Sequence, residues 1–154
     1  MAGPGQESVW DYPRPPRVET VHGTVEVWLD DAVLASSIRP LRVLETSHPP
    51  VYYLPREDVR TDLLTPSSTT SYCEFKGVAA YVNATGVADI GWLYPHPSRG
   101  YEQITDHIAF YPGRVTRATV NGERVRAQAG GFYGGWITDA VVGPFKGEPG
   151  TSGW

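Results

Sequence analysis

The sequence is poor in the residues that carry most metal and disulfide chemistry. Its 154 residues include one cysteine, Cys73, which excludes an internal disulfide and a zinc site built from paired C-x-x-C motifs. The four histidines are scattered along the chain, and no H-E-x-x-H pair, phosphate-binding glycine loop or G-x-S-x-G nucleophile motif is present. We therefore expect neither a bound metal nor a cofactor, and a single free thiol fits a reducing, cytoplasmic compartment.

Long apolar runs and an excess of basic residues are lacking as well. No stretch approaches the roughly 20 apolar residues of a membrane-spanning helix, and the N-terminal residues have no apolar run typical of a signal peptide. The net charge is -4, and only Lys76 and Lys146 are lysines. That balance has the wrong sign for a general nucleic-acid binder or an anionic membrane surface, so we expect neither partner.

Glycine, proline and aromatic residues are abundant. The 17 glycines and 14 prolines exclude long helices, whereas five tryptophans, nine tyrosines and four phenylalanines can fill a core. Short apolar segments bounded by Gly or Pro predict an all-β fold, with one or two short helical turns at 57–64 and 101–105. Strands are predicted at 41–46, 51–54, 72–82, 90–94 and 108–111, and a Ser/Thr loop at 65–71.

Three regions are expected along the chain. Residues 1–17 form an extended lead-in, and residues 18–128 form the β domain. In residues 129–154 glycines alternate with aromatic rings, which predicts an ordered arm that wraps the body or a second subunit. The arm therefore makes a homo-oligomer one candidate partner.

Two hairpins follow from turn chemistry. Asn121–Gly122 supplies the two positive-φ residues of a type I′ turn and predicts that Arg117 lies opposite Arg126. Residues 24–36 predict two strands joined at Asp30–Asp31, with Val27 opposite Leu34. Trp28 would then lie on the outer face, which the tail or a partner would have to cover.

Ionisable side chains cluster in segments that a small β fold would bring together. The histidines His48 and His107 are candidates for general acid–base work, with Glu45 beside them, and Lys76 for an anion-binding or nucleophilic amine. The alternative is structural: Glu45 pairs with arginines, His48 caps a turn, and Lys76 pairs with Glu74 or Glu45.

Two further residues of these segments are candidates for ligand binding. Arg42 and Tyr52 lie on either side of a Pro–Pro corner that fixes the backbone. If residues 42–46 form a strand, Arg42 and Glu45 point to opposite faces, so no more than half of the polar set can line one pocket.

Four segments resemble the family catalogued as domain of unknown function 427, also labelled a nucleotidyltransferase family. They are ETSHPPVYYLPREDV (45–59), CEFKGVAAY (73–81), GWLYPHP (91–97) and HIAFYPGRV (107–115). The resemblance covers roughly residues 18–120, and GGFYGGWITDAVVGPFKG is similar to an extension found on a subset of members.

The resemblance implies a compact antiparallel β-tent or Mss4-like barrel. Many β-tent relatives hold zinc through paired C-x-x-C motifs, which this chain lacks, so no metal is carried over. Some bind small ligands in aromatic cages, and by that analogy Trp92, Tyr94 and Tyr52 become candidate ligand-wall residues. The transferase label would require a carboxylate pair for metal, whereas the acidic pairs of this chain lie in a predicted turn and a short helix.

Three functional hypotheses remain. The first is a domain that binds a small molecule or nucleotide in a polar and aromatic pocket, with enzymatic activity left open. The second is a non-catalytic interaction or oligomerisation module that uses the arm and Trp28. The third is the nucleotidyltransferase of the family label.

Overall fold

The protein is built mainly of β-strands, as the computed structural model describes it for residues 2–3, 5–129 and 133–146. Four single 3₁₀ turns cover Val9–Asp11, Arg56–Asp58, Thr61–Leu63 and Glu102–Ile104. The strands are β1 (Glu7–Ser8), β2 (Arg17–Thr20), β3 (Val25–Leu29), β4 (Ala32–Ser37), β5 (Leu41–Leu44), β6 (Val51–Pro55), β7 (Leu64–Cys73), β8 (Gly77–Ala84), β9 (Val87–Leu93), β10 (His107–Phe110), β11 (Arg117–Val120), β12 (Glu123–Arg124), β13 (Arg126–Ala127), β14 (Trp136–Ile137) and β15 (Val141–Val142). The all-β prediction is confirmed.

Two antiparallel sheets enclose the main core. The larger has the order β2-β5-β6-β10-β9-β8-β7 and the smaller the order β12-β11-β3-β4. Alternate residues of β3 and β4, such as Val27 and Leu34, meet Leu54, Ile108 and Phe110 of the larger sheet. Each of these side chains is at most 3% exposed, so burial of the apolar face of each sheet against the other is the main stabilising term.

The opposite face of the larger sheet carries a second, aromatic cluster. Register places Tyr53 beside Ala109, Ala109 beside Trp92, and Trp92 beside Tyr81, in one row across β6, β10, β9 and β8. Side chains on one face of neighbouring strands contact one another directly. The larger sheet is therefore buried on both faces, and the candidate site lies on this second face.

Both main sheets are open. Strands β2 and β7 are the two edges of the larger sheet and β12 and β4 those of the smaller, so neither closes on itself. The expected barrel is thus replaced by two stacked open sheets. No helix in the described parts of the chain is long and apolar enough to cross a membrane.

The predicted strand at 72–82 is wrong at residues 74–76. Residues 74–76 form a turn between β7 and β8, and Gly77 opens β8 with φ of +106°, a conformation that L side chains avoid. The predicted Ser/Thr loop at 65–71 is instead part of the edge strand β7. Polar residues suit that strand because most of its residues are partly or fully exposed and only one of its sides is paired.

Both predicted hairpins form, but in each of them one predicted cross-strand pair is wrong. In the first, a bulge between Val27 and Trp28 places Val27 opposite Ala35 rather than Leu34. In the second, Asn121 and Gly122 have φ of +51° and +83°, as a type I′ turn requires. Arg126 does not face Arg117, because β13 leaves the hairpin to pair with β14.

Trp28, on the outer side of the smaller sheet, is contacted by an arginine of the neighbouring strand. Arg117 is the register partner of Trp28, and its guanidinium lies 4.1 Å from the centre of that ring. This cation–π contact covers one face of the Trp28 ring, while its register partner on β4, Val33, is 41% exposed.

The N-terminal lead-in is attached to the body by an ionic network. Arg42 donates to both carboxylate oxygens of Glu7, at 3.0 and 3.1 Å, and to Glu19 on the neighbouring strand at 2.7 Å. Tyr12 donates to the same Glu7 carboxylate at 2.8 Å. The hydrogen bonds from Arg42 hold the pKa of Glu7 below its ordinary value of 4.5.

This network predicts an acid-sensitive contribution to stability. Replacing Arg42 with Met is expected to lower the free energy of unfolding by about 2 kcal/mol at pH 7, because charge-assisted hydrogen bonds are lost. A lowered pKa stabilises the fold above pH 4.5 and ceases to do so as the pH falls through the folded-state pKa. The difference in free energy of unfolding between wild type and variant, measured by urea unfolding, should therefore become smaller from pH 7 to pH 3. An unchanged difference would contradict the account.

Candidate functional site

A pocket of about 230 Å³ opens on the aromatic face of the larger sheet. Strands β6, β8 and β9 supply its floor, and the turn at 74–76 and the segment around His48 supply its walls. Its lining comprises Glu45, His48, Val51, Tyr53, Ser71, Tyr72, Cys73, Lys76, Tyr81, Trp92, Tyr94, Tyr111, Gln128, Tyr133 and Gly134, which we call the aromatic pocket.

The floor is a set of packed rings with polar edges. The Trp92 ring lies 4.6 Å from Tyr111, and its indole nitrogen donates to the Tyr53 hydroxyl at 3.3 Å. Burial raises the pKa of Tyr53, Tyr94 and Tyr111, so these phenols stay neutral at physiological pH. The floor therefore offers flat apolar surface together with uncharged hydroxyls that can donate or accept hydrogen bonds.

Lys76 brings the single lysine ammonium into this pocket. The residue is only 8% exposed, and its Nζ lies 5.9 Å from the centre of the Tyr94 ring. The turn is fixed because the Ser98 amide donates to the Lys76 carbonyl at 2.8 Å. Among the described residues, no carboxylate lies within 4.0 Å of Nζ and no side-chain hydrogen bond of Lys76 is formed.

His48 and Glu45 occupy the other wall. The Nδ1 of His48 lies 2.9 Å from the Thr46 carbonyl, which makes Nδ1 the protonated nitrogen in the neutral ring. Nε2 is then the ring atom able to accept a proton or a hydrogen bond. The Glu45 carboxylate lies 3.7 Å from the Arg14 guanidinium, so its charge is partly balanced.

The C-terminal segment covers part of the pocket. A side chain at Gly134 would overlap the six-membered ring of Trp92, so the backbone passes directly over that ring. The Gln128 side chain accepts a hydrogen bond from the Gly135 amide at 3.1 Å. Tyr133 places its ring 5.9 Å from His48. The predicted arm at 129–154 thus contributes pocket residues, while its residues 130–132 and 147–154 lie outside the described residues.

Five of the eight candidate residues meet in the aromatic pocket, namely Glu45, His48, Lys76, Trp92 and Tyr94. None of the predicted structural ion pairs of Lys76, with Glu74 or Glu45, is formed among the described residues. The three other candidates lie elsewhere, each for a definable reason.

Arg42 and Tyr52 lie on the face of the larger sheet that points away from the aromatic pocket. They are register partners on β5 and β6, whereas Val51 and Tyr53, which flank Tyr52 along β6, line the pocket. Arg42 is engaged with Glu7 and Glu19, and Tyr52 packs 5.1 Å from Trp136 in the main core. Strand alternation sends neighbouring side chains to opposite faces.

His107 lies on the same strand face as Ala109 but at the far end of β10. Tyr111, which lines the pocket, is four residues further along, about 13 Å in extended chain. The Nδ1 of His107 is held by the Thr105 carbonyl at 2.8 Å. The hypothesis that all four ionisable candidates converge is therefore wrong for His107.

Several pocket residues were not predicted from sequence. Tyr53, Tyr81 and Tyr111 were overlooked although each alternates with core residues in its own segment, which is the signal that assigns them to a shared face. Gln128 and Gly134 carry no such signal, because their position depends on the path of the C-terminal segment.

A second hollow, of about 350 Å³, lies on the outer side of the smaller sheet. It is lined by the two arginines Arg117 and Arg124 and the two aspartates Asp30 and Asp31, so opposite charges offset each other there. Within the described ranges, no three of His, Cys, Asp or Glu approach closely enough to hold a metal ion.

Comparison with known proteins gives a family without a function. No curated protein matches the chain in sequence. The sequence profile of a family described as a domain of unknown function (DUF427) matches residues 17–121, which include β2 to β11 and most of the pocket. Since the match spans more than half of the chain, this protein belongs to the DUF427 family.

Proposed function

We propose that the protein binds a small organic molecule in the aromatic pocket, with Lys76 as its polar anchor. The observation that carries the proposal is Lys76, whose side chain is mostly buried while its ammonium stays accessible in the pocket and has no acceptor among the described residues. A ligand oxygen would accept a charge-assisted hydrogen bond from that ammonium.

The shape and chemistry of the lining indicate the size and kind of ligand. A volume of about 230 Å³ corresponds to roughly eight water molecules, so a single ring with one polar group fits. The ring would lie against Trp92 and the tyrosines, and its carbonyl, carboxylate or phosphate oxygen would accept from Lys76. The phenol hydroxyls of the floor would then determine the orientation of the ligand through hydrogen bonds.

The proposal predicts a charge-specific loss of binding in one variant. Benzoate, phenyl phosphate, benzaldehyde and the four ribonucleoside monophosphates form a probe panel, scored by the shift in thermal midpoint and then by calorimetric titration. For the best probe, Lys76→Met should weaken binding roughly 10- to 100-fold, because one charge-assisted hydrogen bond is lost.

Arg124→Met is the matched control. It removes the same charge from the smaller sheet, away from the aromatic pocket, and should leave affinity unchanged. If no probe stabilises wild type at millimolar concentration, or if Lys76→Met binds as tightly as wild type, the proposed function is wrong.

A further inference from the structure

We infer that the ligand of the aromatic pocket is an aldehyde or ketone, whose carbonyl carbon Lys76 captures as an imine. This inference rests on the proposed function and narrows it to one class of ligand. It assigns Lys76 the role of a nucleophile in addition to that of a hydrogen-bond donor.

The first support is the absence of competing partners for the amine. A lysine held by a carboxylate must give up that ion pair before it can attack a carbonyl. Among the described residues, the Lys76 side chain has neither a carboxylate nor a hydrogen-bond acceptor to give up. The Lys76 side chain packs beside the Tyr94 ring while its Nζ stays accessible in the pocket, so the nitrogen is open to a carbonyl carbon.

The second support is the charge of the surroundings. Glu45 is the carboxylate of the pocket lining, and it weakens, without abolishing, the binding of an anion such as benzoate relative to a neutral ligand of the same shape, even though Arg14 balances part of its charge. A neutral carbonyl compound meets no such repulsion. The neutral hydroxyls of Tyr53 and Tyr94 can donate to an oxygen that becomes negative during attack.

The covalent step balances without any further reactant. His48 Nε2 first takes one proton from the Lys76 ammonium. The freed nitrogen lone pair forms a C–N bond to the carbonyl carbon, and the π electrons of the C=O bond move to oxygen. A proton passes from nitrogen to that oxygen, and His48 Nε2 is the pocket base available to carry it. Loss of the hydroxyl with a second nitrogen proton releases water and leaves a C=N bond.

Reductive trapping tests the imine directly. The full-length protein is incubated with benzaldehyde, treated with sodium borohydride, and digested for peptide mass analysis. Lys76 should carry one benzyl group at a level at least about tenfold above Lys146, the other lysine of the chain, because binding raises the local concentration of the carbonyl.

Two comparisons separate the imine from binding alone. Lys76→Arg removes the amine and should abolish the adduct at position 76, whereas Arg124→Met, outside the aromatic pocket, should keep the adduct on Lys76 at the wild-type level. Benzyl alcohol, which has no carbonyl, should leave no adduct on wild type.

The outcomes distinguish the two proposals. Equal labelling of Lys76 and Lys146, or no labelling of Lys76 while benzoate still needs Lys76 to bind, overturns the imine and leaves the proposed function standing. If no probe binds and none is trapped, both proposals fail.

Discussion

Replacing Trp136 with Ala is expected to lower the free energy of unfolding by about 3–5 kcal/mol, the range for deleting a large buried aromatic side chain. Trp136 has no exposed surface and packs 5.1 Å from Tyr52 in the main core. Its indole nitrogen donates to the Phe110 carbonyl at 3.0 Å, so the variant also leaves that carbonyl without this partner. Urea unfolding, followed by circular dichroism, measures the loss.

Trp136→Phe is the graded control for this experiment. It keeps a ring in the core but removes the hydrogen bond to Phe110 and should cost less than Trp136→Ala. A loss below about 1 kcal/mol for Trp136→Ala would contradict the assignment of this residue to the main core.

The second large effect is expected at Gly91. This glycine pairs with Phe110 in the larger sheet, and a Cβ atom there would overlap the carbonyl oxygen of Ala109. Backbone cannot move aside as a flexible side chain can, so Gly91→Ala should destabilise the protein by about 3 kcal/mol, at the upper end of overpacking effects. Thermal and urea unfolding together report the change.

Gly113→Ala provides the comparison for that substitution. A Cβ at Gly113 would lie 3.3 Å from the Ala127 methyl group, a tight but adjustable contact. We expect a change within about 1 kcal/mol, since alanine also restricts the unfolded chain. Equal losses at the two glycines would show that the close approach at Ala109 is not what requires Gly91.

Turn chemistry could be predicted because it is local. The residues of a type I′ turn are adjacent, so Asn121–Gly122 identifies its hairpin without knowledge of the rest of the chain. The end of that hairpin could not be predicted in the same way. Arg126 leaves to pair with Ile137, and nothing near Arg126 in sequence indicates that partner.

The sequence does not distinguish which of two adjacent residues of β6 faces the pocket, because both are suited to burial. Tyr52 and Tyr53 are identical side chains, and both are buried, one in each cluster. Alternation separates them but does not say which faces the pocket, because the larger sheet is covered on both sides. Arg42 was the available clue, since its register partner Tyr52 must share its face.

The composition of residues 65–71 predicts a loop, whereas these residues belong to β7. Its run of Ser and Thr reads as a loop, but an exposed edge strand needs few apolar residues and accepts the β-branched Thr. The error also moved Lys76 from a turn into a strand. The turn bears on the proposed function because it places Lys76 Nζ over the Tyr94 ring.

The proposed function gives a common explanation for three features of the described chain. They are the packed rings beneath the pocket, the C-terminal backbone that crosses Trp92, and the ammonium of Lys76 among neutral rings. Lys76 in particular would serve a packed core less well than an apolar side chain would, because a charged group costs free energy to bury. A ligand that contacts all three would account for their presence together.

The most direct test of ligand binding at this site is nuclear magnetic resonance of the indole ¹⁵N–¹H groups. The chain has five tryptophans, and Trp→Phe variants assign the five signals. On titration with benzoate, the Trp92 signal should shift saturably in wild type and require roughly 10- to 100-fold more benzoate in Lys76→Met, while the Trp28 signal should not move in either. Movement of Trp28 instead of Trp92, or a Trp92 shift at the same benzoate concentration in both proteins, would contradict an aromatic pocket anchored by Lys76.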